Sequence, residues 1–288
     1  MERVGVIGAG LMGSGIAEVC ARAGCDVLVH EAGDGPLAAG RARIEKSLSK
    51  AVEKGKLAQA DRDAALARIS YTLDLADMAD REIVVEAVTE DEVVKKGIFA
   101  TLDKVVATPE AVLASNTSSI PITRLAAVTT RPEHVVGLHF FNPVPIMGLV
   151  ELVTTMLTDP ATADRAEDFV RERLGKTVIH AKDRGGFVVN LLLVPYLLGA
   201  IRMYEAGIAT AKDIDTGMKL GANHPMGPLE LSDFIGLDTM KAVADVLYDE
   251  YKEPFYAAPP PAGENGGSRH SRPKERAGLL HLLTAQRQ

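Results

Sequence analysis

The stretch Val4–Gly15 reads V-G-V-I-G-A-G-L-M-G-S-G. A run rich in valine and isoleucine passes into G-x-G-x-x-G, formed by Gly8, Gly10 and Gly13, and then into a helical segment. Gly8 permits the tight turn, Gly10 lets the backbone approach a pyrophosphate, and Gly13 lets helix and strand pack closely. The backbone of Gly8, Gly10, Leu11, Met12 and Gly13 would then meet phosphates at a helix N-terminus, where free N–H groups and the dipole favour an anion. Glu31 closes the next strand-like run. A carboxylate about 20 residues past such a turn accepts hydrogen bonds from ribose hydroxyls and repels a 2′-phosphate, so NAD is expected over NADP.

Short apolar runs recur at Val4–Ile7, Val27–Val29, Ile83–Val88, Val112–Ala114 and Val135–Leu138. Runs of this kind suit parallel strands whose two faces are both covered. Between them, Leu37–Lys54 and Asp91–Val106 have helical spacing. Strand, helix, strand in this order predicts right-handed crossovers and a Rossmann-type, doubly wound α/β sheet. After Asp183 the strand-like runs cease, and Phe187–Ala206, Asp213–Leu220 and Pro228–Tyr251 follow as helical stretches. We therefore expect an NAD-binding domain over 1–183 and a smaller all-helical substrate and dimerisation domain over 184–258. The first helix of that second domain reads as too apolar to be exposed on any face. A core helix and a subunit interface both fit it, and a homodimer through this domain is the expectation.

Composition narrows the function classes. The 288-residue chain carries a formal net charge of −7, and a nucleic-acid binder would usually show a basic excess. Its two cysteines, Cys20 and Cys25, make no disulfide framework and fit a reducing cytoplasm. No apolar run approaches the roughly 20 residues that span a bilayer. Met1 is followed at once by Glu2 and Arg3, so no signal peptide is expected. No metal-ligand spacing occurs among the scattered histidines. Nucleic acid, membrane and metal are thus not expected as partners.

Chemistry concentrates at His139, in G-L-H-F-F-N-P-V-P, at the end of a strand-like run. Glu151, in L-V-E-L-V, alternates with apolar neighbours and would point inward from a strand. A buried carboxylate needs a partner, and an imidazole suits it. The pair would hold one tautomer and stabilise the imidazolium, so His139 could take a hydroxyl proton while hydride leaves the same carbon for NAD. A histidine before two phenylalanines is also an ordinary structural residue. Ser115-Asn116-Thr117-Ser118-Ser119 follows another strand end, where ligands bind in such sheets, although a helix-cap cluster reads the same way. Asn190, in G-G-F-V-V-N, needs a partner that a substrate oxygen or the backbone can supply.

Taken together, these motifs resemble the L-3-hydroxyacyl-CoA dehydrogenases, most nearly the short bacterial 3-hydroxybutyryl-CoA dehydrogenases. The resemblance rests on G-A-G-L-M-G-S-G-I-A at Gly8–Ala17, E-A-V-T-E-D at Glu86–Asp91, S-N-T-S-S at Ser115–Ser119, H-F-F-N-P-V-P at His139–Pro145, G-F-V-V-N at Gly186–Asn190 and H-P-M-G-P-L-E-L-S-D at His224–Asp233. It implies His139 as general base, Glu151 as its orienting partner, and Ser118 and Asn190 on the substrate's 3-oxygen and acyl chain. It implies Glu31, Glu90, Lys95, Ser118 and Asn142 as NAD contacts, and Ser47 and Lys54 as contacts to CoA. The implied activity is reversible oxidation of (S)-3-hydroxybutyryl-CoA to acetoacetyl-CoA in fatty acid or butanoate metabolism. A related short-chain hydroxyacid or sugar-acid dehydrogenase, or a catalytically impaired NAD-binding protein, are the alternatives.

Departures from the family pattern fall mainly at the domain junction and the tail. Arg184-Gly185 replaces the usual Thr-Pro, and Leu191 stands where Arg is common. The usual tail, L-L-x-R-M-V-x-x-G-x-x-G-x-K-x-G-x-G-F-Y, is missing from Pro260 onward. Back-translated and reread one nucleotide later, that region can encode P-L-L-E-R-M-V-E-A-G-T-A-G-R-K-S-G-R-G-F-Y-T-Y. We expect a frameshift near Pro259, in the gene or in its sequence, and a poorly ordered tail over 259–288 that carries no site.

Overall fold

The structure is a computed structural model that describes residues 1–259. The expected frameshifted tail over 259–288 lies, apart from Pro259, outside the described residues. The chain divides into two compact units, Met1–Phe187 and a second from Val188 onward.

The first unit is built on an eight-stranded sheet: β1 (Arg3–Ile7), β2 (Asp26–His30), β3 (Ile69–Thr72), β4 (Ile83–Glu86), β5 (Val112–Ser115), β6 (Val135–Phe140), β7 (Leu149–Thr154) and β8 (Thr177–Lys182). Their spatial order is β3-β2-β1-β4-β5-β6-β7-β8. Neighbours from β3 through to β6 run parallel, β7 is antiparallel to β6, and β8 is parallel to β7. The chain moves outward from β1 in both directions, which is the doubly wound arrangement the motif order predicts. Helices α1 (Leu11–Arg22), α2 (Asp34–Glu53), α3 (Gln59–Ala67), α4 (Glu92–Val105), α5 (Ile122–Ala126) and α6 (Pro160–Asp168) complete the unit.

Strand periodicity sorts the core into two layers. Val4 and Val6 of β1 pack with Ile16 of α1 and with Ile44 and Leu48 of α2. Ile7 belongs to the opposite layer, with Phe99 and Leu102 of α4. Every residue of β4, β5 and β6 is buried, as helices on both faces require. The strand expected over Ile83–Val88 stops at Glu86, because the Glu86 carboxylate accepts the Val88 N–H at 2.7 Å and turns the chain. The edge strands β3 and β8 mix buried with exposed residues, so neither shows as an apolar run.

The second unit is helical: α7 (Val189–Glu205), α8 (Ala211–Gly221), α9 (Pro228–Ile235) and α10 (Leu237–Tyr251). Leu197 and Leu198 of α7 pack with Leu229, Ala244 and Leu247. The single stretch read from Pro228 to Tyr251 breaks at Gly236, whose φ of +95° ends α9 and starts α10. The expectation that α7 has no exposed face is corrected: within one chain Leu192 is 71% exposed and Met203 41%. No helix among the described residues is long and apolar enough to cross a membrane.

Candidate active site

The site grows from the carboxyl edge of the parallel sheet. Gly8, with φ +97°, turns the chain off β1, and its N–H donates to the His30 carbonyl at 2.8 Å and ties the turn to β2. A Cβ on Gly13 would stand 1.8 Å from the Gly8 oxygen, so no larger residue fits there. A Cβ on Gly10 would meet nothing within 4 Å, which leaves open space over the backbone at the start of α1. Glu31 reaches back across this turn, and its carboxylate accepts the N–H of Ala9 at 2.7 Å and of Ala32 at 3.1 Å. Arg43 of α2 donates to the Ala9 carbonyl at 2.7 Å. Sequence reasoning passed over Arg43, since its 34-residue separation from the turn shows only in three dimensions. Tight glycines, an uncapped helix start and a carboxylate directly after β2 fit the pyrophosphate and ribose of a dinucleotide.

The expected His–Glu pair is present. His139 and Glu151 stand directly opposite each other in the antiparallel β6–β7 pair, so both side chains leave the same face of the sheet. Nδ1 of His139 lies 2.6 Å from Oε2 of Glu151, with His139 buried and Glu151 fully so. An ionised carboxylate only accepts, so Nδ1 carries the proton and Nε2 keeps a lone pair. The rings of Phe141 and Phe187 lie 4.6 Å and 5.6 Å from the imidazole ring, centre to centre. Asn116 adds a brace, accepting the Phe140 N–H at 2.9 Å and tying the end of β5 to β6.

A second polar cluster sits at the ends of β4 and β5. Oε1 of Glu90 accepts from the Thr117 hydroxyl at 2.5 Å, from the Ser118 N–H at 2.9 Å and from the Ser119 hydroxyl at 2.9 Å. Burial pushes the Glu90 carboxyl upward, but Lys95 and these hydrogen bonds outweigh it and hold the group below the ordinary 4.5. The Lys95 ammonium is buried, 2.7 Å from Glu86 and 3.3 Å from Glu90. Glu90, Lys95 and Ser118, read separately in the sequence, are therefore one network. Glu86 is its fully buried centre, and no role was read for it.

Ser47 and Asn142 line one cavity of about 250 Å³, together with Arg43, Lys46 and Lys50. A buried carboxyl, Glu18, also lines it, and burial raises its pKa while Ser47 and Arg22 work against that. Lys54 caps the C-terminus of α2 and is exposed, outside that cavity. Asn190 is the second residue of α7, in the helical unit. Among the described residues no group of three or more His, Cys, Asp or Glu side chains is arranged to hold a metal ion.

An imidazole with a free nitrogen, oriented by a carboxylate on the same sheet edge as a phosphate-binding turn, is the equipment of a dinucleotide-dependent dehydrogenase. Residues 3–184 match the NAD-binding domain of 3-hydroxyacyl-CoA dehydrogenase, and residues 186–272 match the C-terminal domain of the same family. The chain belongs to the 3-hydroxyacyl-CoA dehydrogenase family, and it is an oxidoreductase. It is 59% identical over 260 residues to a 3-hydroxybutyryl-CoA dehydrogenase of Mycobacterium tuberculosis, covering 90% of this chain and 91% of that one. The crystal structure of M. tuberculosis FadB2 superposes with a TM-score of 0.89 at 59% identity, again covering 90% of this chain and 91% of that one. That of (S)-3-hydroxybutyryl-CoA dehydrogenase PaaH1 from Ralstonia eutropha gives 0.85 at 45% identity, covering 90% and 91%.

Proposed function

We propose that the protein oxidises (S)-3-hydroxybutyryl-CoA to acetoacetyl-CoA, reversibly and with NAD in preference to NADP. The observation that carries the reading is the 2.6 Å contact between His139 and Glu151 on the sheet that also bears the glycine turn. Nε2 of His139 accepts the 3-hydroxyl proton, and Glu151 offsets the charge that then appears on the ring. Nicotinamide, when bound, supplies the hydride acceptor. In the reverse direction the imidazolium returns the proton to the 3-oxygen. Ser118 and Asn190 hold that oxygen and the acyl chain, while Glu90, Lys95 and Asn142 serve the nicotinamide side. Glu31 binds the adenosine ribose, and its negative charge disfavours a 2′-phosphate. Ser47 and Lys54 bind CoA, Lys54 as a point charge for a phosphate. We further propose a cytoplasmic homodimer, joined through the helical unit, working in fatty acid or butanoate metabolism. The exposed Leu192 on α7 supports that interface.

Steady-state turnover of acetoacetyl-CoA with NADH and NADPH in parallel, and of free acetoacetate as control, tests the reading. Turnover of the thioester with NADH, at least about tenfold above NADPH and above the free acid, is expected. Equal rates on free acetoacetate would favour a hydroxyacid dehydrogenase. Binding of NAD with no turnover of any substrate would favour the impaired NAD-binding protein.

A further inference from the structure

Glu86 is 0% exposed at the end of β4, paired across the sheet with Ile7 of β1 and Ser115 of β5. Its Oε1 accepts from Nζ of Lys95 at 2.7 Å and from the Val88 N–H at 2.7 Å. Its Oε2 accepts from the Ser115 hydroxyl at 2.6 Å. Lys95 is shared with Glu90, 3.3 Å away, and no other cation pairs with Glu86 or Glu90 among the described residues. By formal charge, two carboxylates on one ammonium leave an excess of one negative charge. Hydrogen bonding alone does not require that excess, because neutral side chains could tie the same loops together without the cost of burying charge.

The position suggests what the charge is for. Glu31, directly after β2, marks the adenosine side of the dinucleotide, and the turn after β1 takes the pyrophosphate. The remaining half of an extended dinucleotide would then fall to the ends of β4 and β5, the side on which Glu86, Glu90 and Lys95 stand. The nicotinamide ring is cationic when oxidised and neutral when reduced. We propose that the Glu86–Lys95–Glu90 cluster, buried at Glu86 and Lys95 and open to solvent at Glu90, discriminates the redox state of the cofactor, favouring the oxidised, cationic ring over the reduced one. Glu86 touches no reacting atom; it acts through its charge and by holding Lys95 against Glu90. The inference rests on the NAD reading above.

The test is the ratio of dissociation constants for NADH and NAD, measured by titration without acyl-CoA. Glu86→Gln keeps the shape and removes the excess charge, so the ratio should move toward NADH by roughly tenfold. Adding Lys95→Met to that variant leaves Glu90 alone, restores one negative charge, and should return the ratio to about the wild-type value. Glu90→Gln, at a more exposed position, makes the same charge change and should move the ratio in the same direction should Glu86→Gln not fold. If the charge variants weaken both cofactors equally and leave the ratio unmoved, Glu86 is an anchor only and the proposal is wrong. If the wild type binds neither cofactor, the NAD reading itself has failed.

Discussion

Glu151 is the residue on which the behaviour of His139 turns. Its ionised carboxylate can only accept, so the neutral imidazole presents a basic Nε2. Glu151→Gln offers an amide N–H in its place and lets Nδ1 accept instead, which moves the ring proton to Nε2. We expect kcat to fall on the order of 10²–10⁴ with the KM for acetoacetyl-CoA little changed. A rise in KM at constant kcat would mean that Glu151 serves binding. Glu90 carries a pH signature. Its folded carboxyl lies below the ordinary 4.5, so its stabilising effect is present above that value and is lost as pH falls through the lower folded value. The melting temperature of Glu90→Gln should therefore lie below wild type at neutral pH, with the gap closing in acid. A gap independent of pH would show that the ionised form is not what stabilises. The His139–Glu151 pair was legible because period-two alternation around Glu151 marks a strand and a buried acid asks for a partner. Glu86 was not, since nothing in I-V-V-E shows that the ammonium nine residues on folds back to it.

At the scale of elements, the glycine turn is held from two sides. Ala87, the first residue after β4, limits it on one side, and α2 closes on it at Gly40, where a Cβ would stand 2.3 Å from the Ala9 Cβ. Gly40→Ala should push α2 off the turn, lower stability by about 1–3 kcal/mol, and weaken NAD binding as Arg43 and Glu31 lose their register. Chemical denaturation and NADH titration would check both, and unchanged binding would mean that α2 does not set the turn. The sequence shows G-x-G-x-x-G but not Gly40, because a helical glycine looks like any weak helix former until its neighbour is known. The edge strands β3 and β8 escaped for a related reason: with water on part of each, no continuous apolar run forms. Gly236 divides α9 from α10 by its positive φ, a property that a single glycine in an apolar pattern does not reveal.

For the whole molecule, each unit has a core of its own. Residues through Phe187 build the sheet and both of its packed faces, and residues from Val188 build a separate helical core. A chain of residues 1–187 should fold cooperatively and bind NADH while turning over no acyl-CoA, since Asn190 is absent from it. Failure of that fragment to bind NADH would show that the cofactor site needs the helices as well. Turnover by the whole molecule depends on Nε2 of His139 as the group that exchanges a proton with the substrate. The most direct test of this is His139→Ala, assayed with acetoacetyl-CoA and NADH beside a separate NADH titration. A loss of kcat on the order of 10²–10⁴ is expected, with NADH affinity nearly unchanged. A loss under about tenfold, in a variant that still binds NADH normally, would contradict it.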